Sequence, residues 1–127
     1  MKKPSYRPAA DTLGIAASSV CAAHCILLPL AVALLPGVLA RFVAGPWVHG
    51  GLACVVVVTS LAAFIPGWLK HGEARVWRWA LAGLGCVLAA RFEAEGAAEM
   101  VLTSIGSVLL IVAHRLNHSL SYWADRD

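Results

Sequence analysis

Long apolar runs alternate with short polar breaks along this chain, and the runs have the length of membrane-crossing helices. A spanning helix takes about 20 mostly apolar residues. Four runs fit that description: residues 11–39, 47–69, 76–92 and 97–117, the third being the shortest. Lys70 to Arg75 form the break between the second and third runs, and Glu93 and Glu95 lie between the third and fourth. Apolar residues do not alternate with polar ones, so the strand pattern of a transmembrane β-barrel is absent. The expectation is an all-α fold: a polytopic membrane protein, a bundle of four transmembrane helices in a single domain spanning residues 1–127.

Composition agrees. Hydrophobic residues make up 60% of the chain and charged residues only 13%, too little polar surface to cover a water-soluble core. The net charge of +3 is small and has no basic patch with interleaved aromatics, which argues against nucleic acid as a partner. The charges inform topology instead. With both termini in the cytoplasm, the inner face collects Lys2, Lys3, Arg7, Lys70, Arg75, Arg78, Arg115 and Arg126, leaving Arg41 and Arg91 outside. That asymmetry predicts an even number of spans with N- and C-termini inside. Trp47, Trp68, Trp77, Trp79 and Trp123 fall at span ends, as an interfacial aromatic belt requires. The apolar stretch from Thr12 to Ala40 is too long for the core of a cleaved signal peptide, so it is read as a retained span. Gly14, Ala17, Ser18, Gly83, Gly85, Gly106 and Ser107 mark the expected helix contacts, because small residues let helices approach closely in lipid.

The chemistry concentrates in Ser18-Ser19-Val20-Cys21-Ala22-Ala23-His24-Cys25. On a helix Cys21 and Cys25 are one turn apart on one face, and His24 stands about 100° round from Cys25. Two thiols and an imidazole near mid-membrane make a soft site. Thiolates select Hg(II), Cu(I) or Zn(II) over Mg or Ca. The candidate metal ligands are therefore Cys21, Cys25 and His24, and an ionisable residue within a span is a functional candidate in its own right. Pro29 lacks an N–H, so the Cys25 carbonyl loses its helical partner. Four further histidines are weaker candidates. His49 opens the second span and could receive an ion first. His71 closes that span beside Lys70, where a solvated or headgroup-facing position is the simpler expectation. His114 and His118 share a face of the last span, either binding metal or facing water and headgroups. Cys54 and Cys86 stand alone and read as structural.

Taken together, these residues resemble the MerC-type mercury-resistance membrane proteins. The resemblance rests on the Ser18-to-Cys25 motif followed by Pro29, on His49, on Gly67-Trp68-Leu69-Lys70-His71, and on Gly106-Ser107 with His114-Arg115-Leu116-Asn117. It implies inward passage of Hg(II) across a bacterial inner membrane, with Cys21 and Cys25 as ligands, between a periplasmic metal donor and a cytosolic acceptor or reductase. It also implies the lipid bilayer as surroundings, the metal ion as substrate and no permanent cofactor. The sequence departs from the best-known members in two ways. They carry Cys-x-x-Cys in the first span and a cysteine pair in the tail, whereas this chain has Cys-x-x-His-Cys at 21–25 and no cysteine after Cys86. A Cys2His set also suits Zn(II) or Cu(I).

Other classes fit the sequence less closely. A membrane thiol oxidoreductase would use paired cysteines, but these are spaced i, i+4 with no second pair to exchange with. A haem electron carrier could draw axial ligands from the histidines, but their depths scatter. A sensor without transport fits the same motif. The sequence reading is a non-enzymatic metal-ion transporter, and a bundle this small leaves open a homo-oligomer that encloses the path.

Overall fold

The computed structural model describes residues 7–126, so Lys2 and Lys3 of the basic set lie outside the described residues. The helices form where apolar runs begin at prolines or follow short polar breaks. Helix α1 (Pro8–Leu34) opens on Pro8, at the helix position where a missing N–H costs nothing. It stops just before Pro36, with Leu35 extended at φ −86° and ψ 149°, the conformation favoured before a proline. The first apolar run therefore does not continue helically to residue 39, as its hydropathy suggested. A separate short helix, α2 (Gly37–Val43), follows. Helix α3 (Pro46–His71) again opens on proline and ends at Gly72, whose left-handed φ of 67° suits a glycine cap. Helices α4 (Ala74–Glu93) and α5 (Gly96–Trp123) complete the chain. Among the described residues every regular element is helical.

Polarity is distributed inside out. Leu13, Ile26, Leu34, Val58, Leu81 and Val108 face outward and are exposed, whereas Asp11, Ser18, Ser60, Ser107, His114, Asn117 and Ser121 are fully buried. A water-soluble bundle arranges these classes the other way round; outward aliphatics and inward polar groups suit a lipid surrounding. The stretches Pro8–Leu34, Gly37–His71 and Gly96–Trp123 are each long and apolar enough to cross a membrane. Helix α4 has 20 residues, about 30 Å at 1.5 Å per residue. It is less apolar because Arg75, Arg78, Arg91 and Glu93 occupy its ends. The chain is a helical, multi-pass membrane protein.

Helix α5 is the hub and packs against α1, α3 and α4. Gly83 and Gly106 meet where α4 crosses α5: a Cβ on Gly83 would lie 2.9 Å from the Gly106 carbonyl oxygen, and one on Gly106 would lie 2.8 Å from that of Gly83. This is the close approach expected of glycine pairs in lipid. Gly85 does not share it; a Cβ there would meet nothing within 4 Å. Trp77 also departs from the expected belt. It turns inward, edge-on to Phe64 with ring centroids 6.3 Å apart. Trp47 and Trp123 are exposed as a belt requires.

The up-and-down order brings the start of α1, the end of α3 and the end of α5 to one end of the bundle. Lys70 there pairs with Asp125. Helix α2 and the start of α5 lie at the opposite end. These are called below the terminal end and the α2 end.

A candidate metal-handling seam between α1 and α5

The buried residues of α1 are Asp11, Gly14, Ser18, Cys21 and Cys25, spaced alternately by three and four. Helix α5 answers with Thr103, Ser107, Leu110, His114, Asn117 and Ser121 at the same spacing. Such periodicity keeps one stripe of each helix turned toward the other along its full length. The result is a seam of thiols, hydroxyls and ionisable groups from one end of the bundle to the other.

The thiols occupy the half of the seam nearer α2. Cys21 and Cys25 are 3% and 4% exposed, carry free thiols and lie beside each other. Ser107 flanks Cys21 and Thr103 flanks Cys25. Two cavities reach this pair from the α2 end. One of about 280 Å³ is lined by Cys25, Ala44, His49, Arg91 and Glu99. A smaller one of about 20 Å³ is lined by Cys21, His49, Glu99 and Thr103, room for about one water. His49 thus borders both thiols. His24 leaves the cysteine face and packs edge-on against His49, ring centroids 4.9 Å apart. Its Nε2 is buried and makes no hydrogen bond. The expected triplet is therefore divided into a dithiol and an imidazole pair joined through His49. Among the described residues no three His, Cys, Asp or Glu side chains converge in a metal-holding group. Two adjacent thiolates are nevertheless sufficient for a soft ion that prefers two-coordination.

The half of the seam nearer the terminal end holds a hydrogen-bonded network that the sequence did not suggest. Asp11 is fully buried, and its carboxylate accepts from His114 Nδ1 at 2.8 Å and from Asn117 Nδ2 at 2.8 Å. Asn117 also donates to the Ala63 carbonyl at 3.2 Å. The Glu73 amide donates to His71 Nδ1 at 3.0 Å. That leaves the proton of the neutral ring on Nε2, which donates to Asn117 Oδ1 at 3.0 Å. His114 Nε2 lies 3.4 Å from the Ser60 hydroxyl, and its ring rests on Phe64 with centroids 4.4 Å apart. Two glycines admit these side chains. A Cβ on Gly14 would overlap the His114 ring, and one on Gly67 would overlap the Asn117 amide.

These placements revise the sequence reading of the histidines. His114 faces neither headgroups nor a metal partner; it is locked inside against Asp11. His71 is bound to Asn117 rather than freely solvated. His118 lines a surface groove with Thr12, Arg115 and Tyr122, so the i, i+4 histidine pair does not form one site. Cys54 is exposed and Cys86 half-buried. Asp11 was passed over because it stands at the start of an apolar run. Its register with Gly14, Ser18, Cys21 and Cys25 was the available signal. Asp11, His114 and Ser60 have the connectivity of a hydrolytic triad, but Ser60 is fully buried and no substrate carbonyl can reach its hydroxyl.

No curated protein and no solved structure matches the chain. Residues 11–119 match the family model of the MerC mercury resistance protein. That match covers most of the 127 residues, and every seam residue except Ser121 falls within it. The chain belongs to the MerC mercury resistance family.

Proposed function

We propose that this member of the MerC family carries Hg(II) across a bacterial inner membrane into the cytoplasm, by ligand exchange on Cys21 and Cys25. Family membership makes it a mercury resistance membrane protein with a mercury ion as its substrate, and favours mercury over the Zn(II) or Cu(I) that the donor set alone would accept. The observation that carries the mechanism is the buried, adjacent pair of free thiols at the floor of cavities opening from the α2 end. Soft thiolates bind Hg(II) in preference to the oxygen ligands around them.

In this reading the α2 end faces the periplasm, because the basic residues Arg7, Lys70, Arg75 and Arg126 gather at the terminal end. The ion enters beside Glu99, meets His49 and passes to Cys25 and Cys21. Two S–H bonds break, two S–Hg bonds form and two protons leave. His24 orients His49 through the ring contact. The protein acts as a carrier rather than an enzyme, with a periplasmic donor and a cytosolic acceptor or reductase on either side.

Uptake of labelled Hg(II) by cells expressing the protein tests this. Accumulation should exceed the empty vector and be abolished by Cys21→Ser and by Cys25→Ser at matched membrane levels. Accumulation that survives both substitutions removes the dithiol from the mechanism.

A further inference from the structure

We infer that the Asp11–His114 pair is a proton-exchange site that serves release of the ion at the terminal end. This deepens the transport reading above and rests on it. Release inward must reverse the chemistry of loading: each S–Hg bond that breaks leaves a thiolate, which must take a proton to form S–H again. In the dry interior of a membrane protein those protons need a local source, and buried ionisable groups in spans commonly serve as proton relays.

The geometry places one on the inward side of the dithiol. Asp11 and His114 are both fully buried, 2.8 Å apart. With His114 neutral, the pair holds one net negative charge; with His114 protonated at Nε2, it is an ion pair of no net charge. The lone pair at Nε2 is weakly held, since the Ser60 hydroxyl stands 3.4 Å away. Between His114 and the thiols lies Ser18, one turn from Gly14, on which the His114 ring rests, and one turn from Cys21. Ser18 Oγ is buried and makes no hydrogen bond, and Ser107 flanks Cys21 across the seam. Unpartnered buried hydroxyls are costly in a packed interior, and Ser18 stands in the α1 register between the proton site and the thiols. The transfer balances over two rounds: in each, Nε2–H of the imidazolium breaks, one thiolate (Cys21, then Cys25) gains the proton, and His114 is reprotonated from the terminal end, so that two protons replace the two S–Hg bonds.

The pair has the following neighbours among the described residues. From α3 it meets Ser60, Phe64 and, through Asn117, His71; Lys70 in the last turn of α3 pairs with Asp125. From α5, Arg115 and His118 border the groove beside Thr12. Glu73, preceding α4, holds Arg75 with its carboxylate and His71 with its amide.

The test uses the full-length protein reconstituted in liposomes with a trapped pH dye, alongside ¹⁵N-imidazole NMR of His114. In the wild type, His114 should change protonation with pH and on loading with Hg(II), and Hg(II) entry should be accompanied by proton movement. Asp11→Asn should slow that entry about 100-fold while Hg(II) still binds the thiols. His114→Gln, which keeps an amide donor toward Asp11, carries the same test if Asp11→Asn does not fold. A His114 ring locked in one protonation state at every pH from about 5 to about 9, or entry unaltered by both variants, overturns the proposal. Hg(II) entry that ignores Cys21→Ser overturns the dithiol route and the release role with it, whereas entry that needs Cys21 but ignores both Asp11→Asn and His114→Gln overturns the proton site alone.

Discussion

The two halves of the α1–α5 seam are built on opposite principles. Toward the terminal end, Asp11, His114, Asn117 and His71 are joined by short hydrogen bonds in which both carboxylate oxygens are used. Toward α2, the thiols have only each other and the hydroxyls of Ser107 and Thr103 beside them, His24 Nε2 has no hydrogen-bond partner, and cavities reach both cysteines. A satisfied polar network in a low-dielectric interior rigidifies its surroundings, whereas unsatisfied groups beside a cavity are available for a ligand. One helix pair therefore supplies both an anchor and a reactive site, separated by about two turns.

Substitution at each half should break the comparison most visibly in stability. Asp11→Ala strands His114 and Asn117 without their acceptor, and truncating one partner of a buried pair costs about 3–5 kcal/mol. Cys21→Ser, nearly isosteric and in the loosely bonded half, should cost less than about 1.5 kcal/mol while abolishing Hg(II) binding. Unfolding of both variants in detergent, with Hg(II) titration of the folded fraction, measures the two effects. If Cys21→Ser is the more destabilising, the anchor has been assigned to the wrong half.

The next effect in size concerns how the anchor is admitted. Gly14→Ala would place a methyl group in the His114 ring, and overpacking of this kind costs about 1–3 kcal/mol. Because the ring must move, its hydrogen bond to Asp11 should weaken as well. The ¹⁵N signal of His114 should shift in this variant and stay in place in Gly85→Ala, where the added Cβ meets nothing within 4 Å.

Much of the bundle was legible because lipid imposes a single rule, a long apolar run per span; three stretches obey it, and only α4, with charged residues at its ends, falls short. The end of the first run was not, since hydropathy does not register that Pro36 forces Leu35 out of the helix. The dithiol was legible from spacing, because Cys21 and Cys25 are one turn apart on any helix. His24 was not, because residues within a 100° arc can still face different neighbours: its ring turns to His49, a contact fixed only once α1 and α3 pack. Asp11 with His114 escaped for the same reason, being 103 residues apart in the chain. A charge at the edge of a span ordinarily belongs to the headgroups, and only the α1–α5 register shows that this one points inward.

The smallest expected effect on stability sharpens the comparison most, because it lies at the border between the halves. Ser18 is fully buried and its hydroxyl makes no hydrogen bond. If it serves only as a small residue that lets α1 and α5 approach, Ser18→Ala removes an unsatisfied group. Stability should then be unchanged within about 0.5 kcal/mol or slightly raised. If the hydroxyl also carries protons between His114 and Cys21, the same variant should bind Hg(II) normally, unfold at the same temperature and still transport about tenfold more slowly. Substituting Thr at this position restores a hydroxyl and should restore the rate, provided the added methyl is accommodated. A Ser18→Ala protein as fast as the wild type would mean that the two halves are neighbours in the fold but not connected in function.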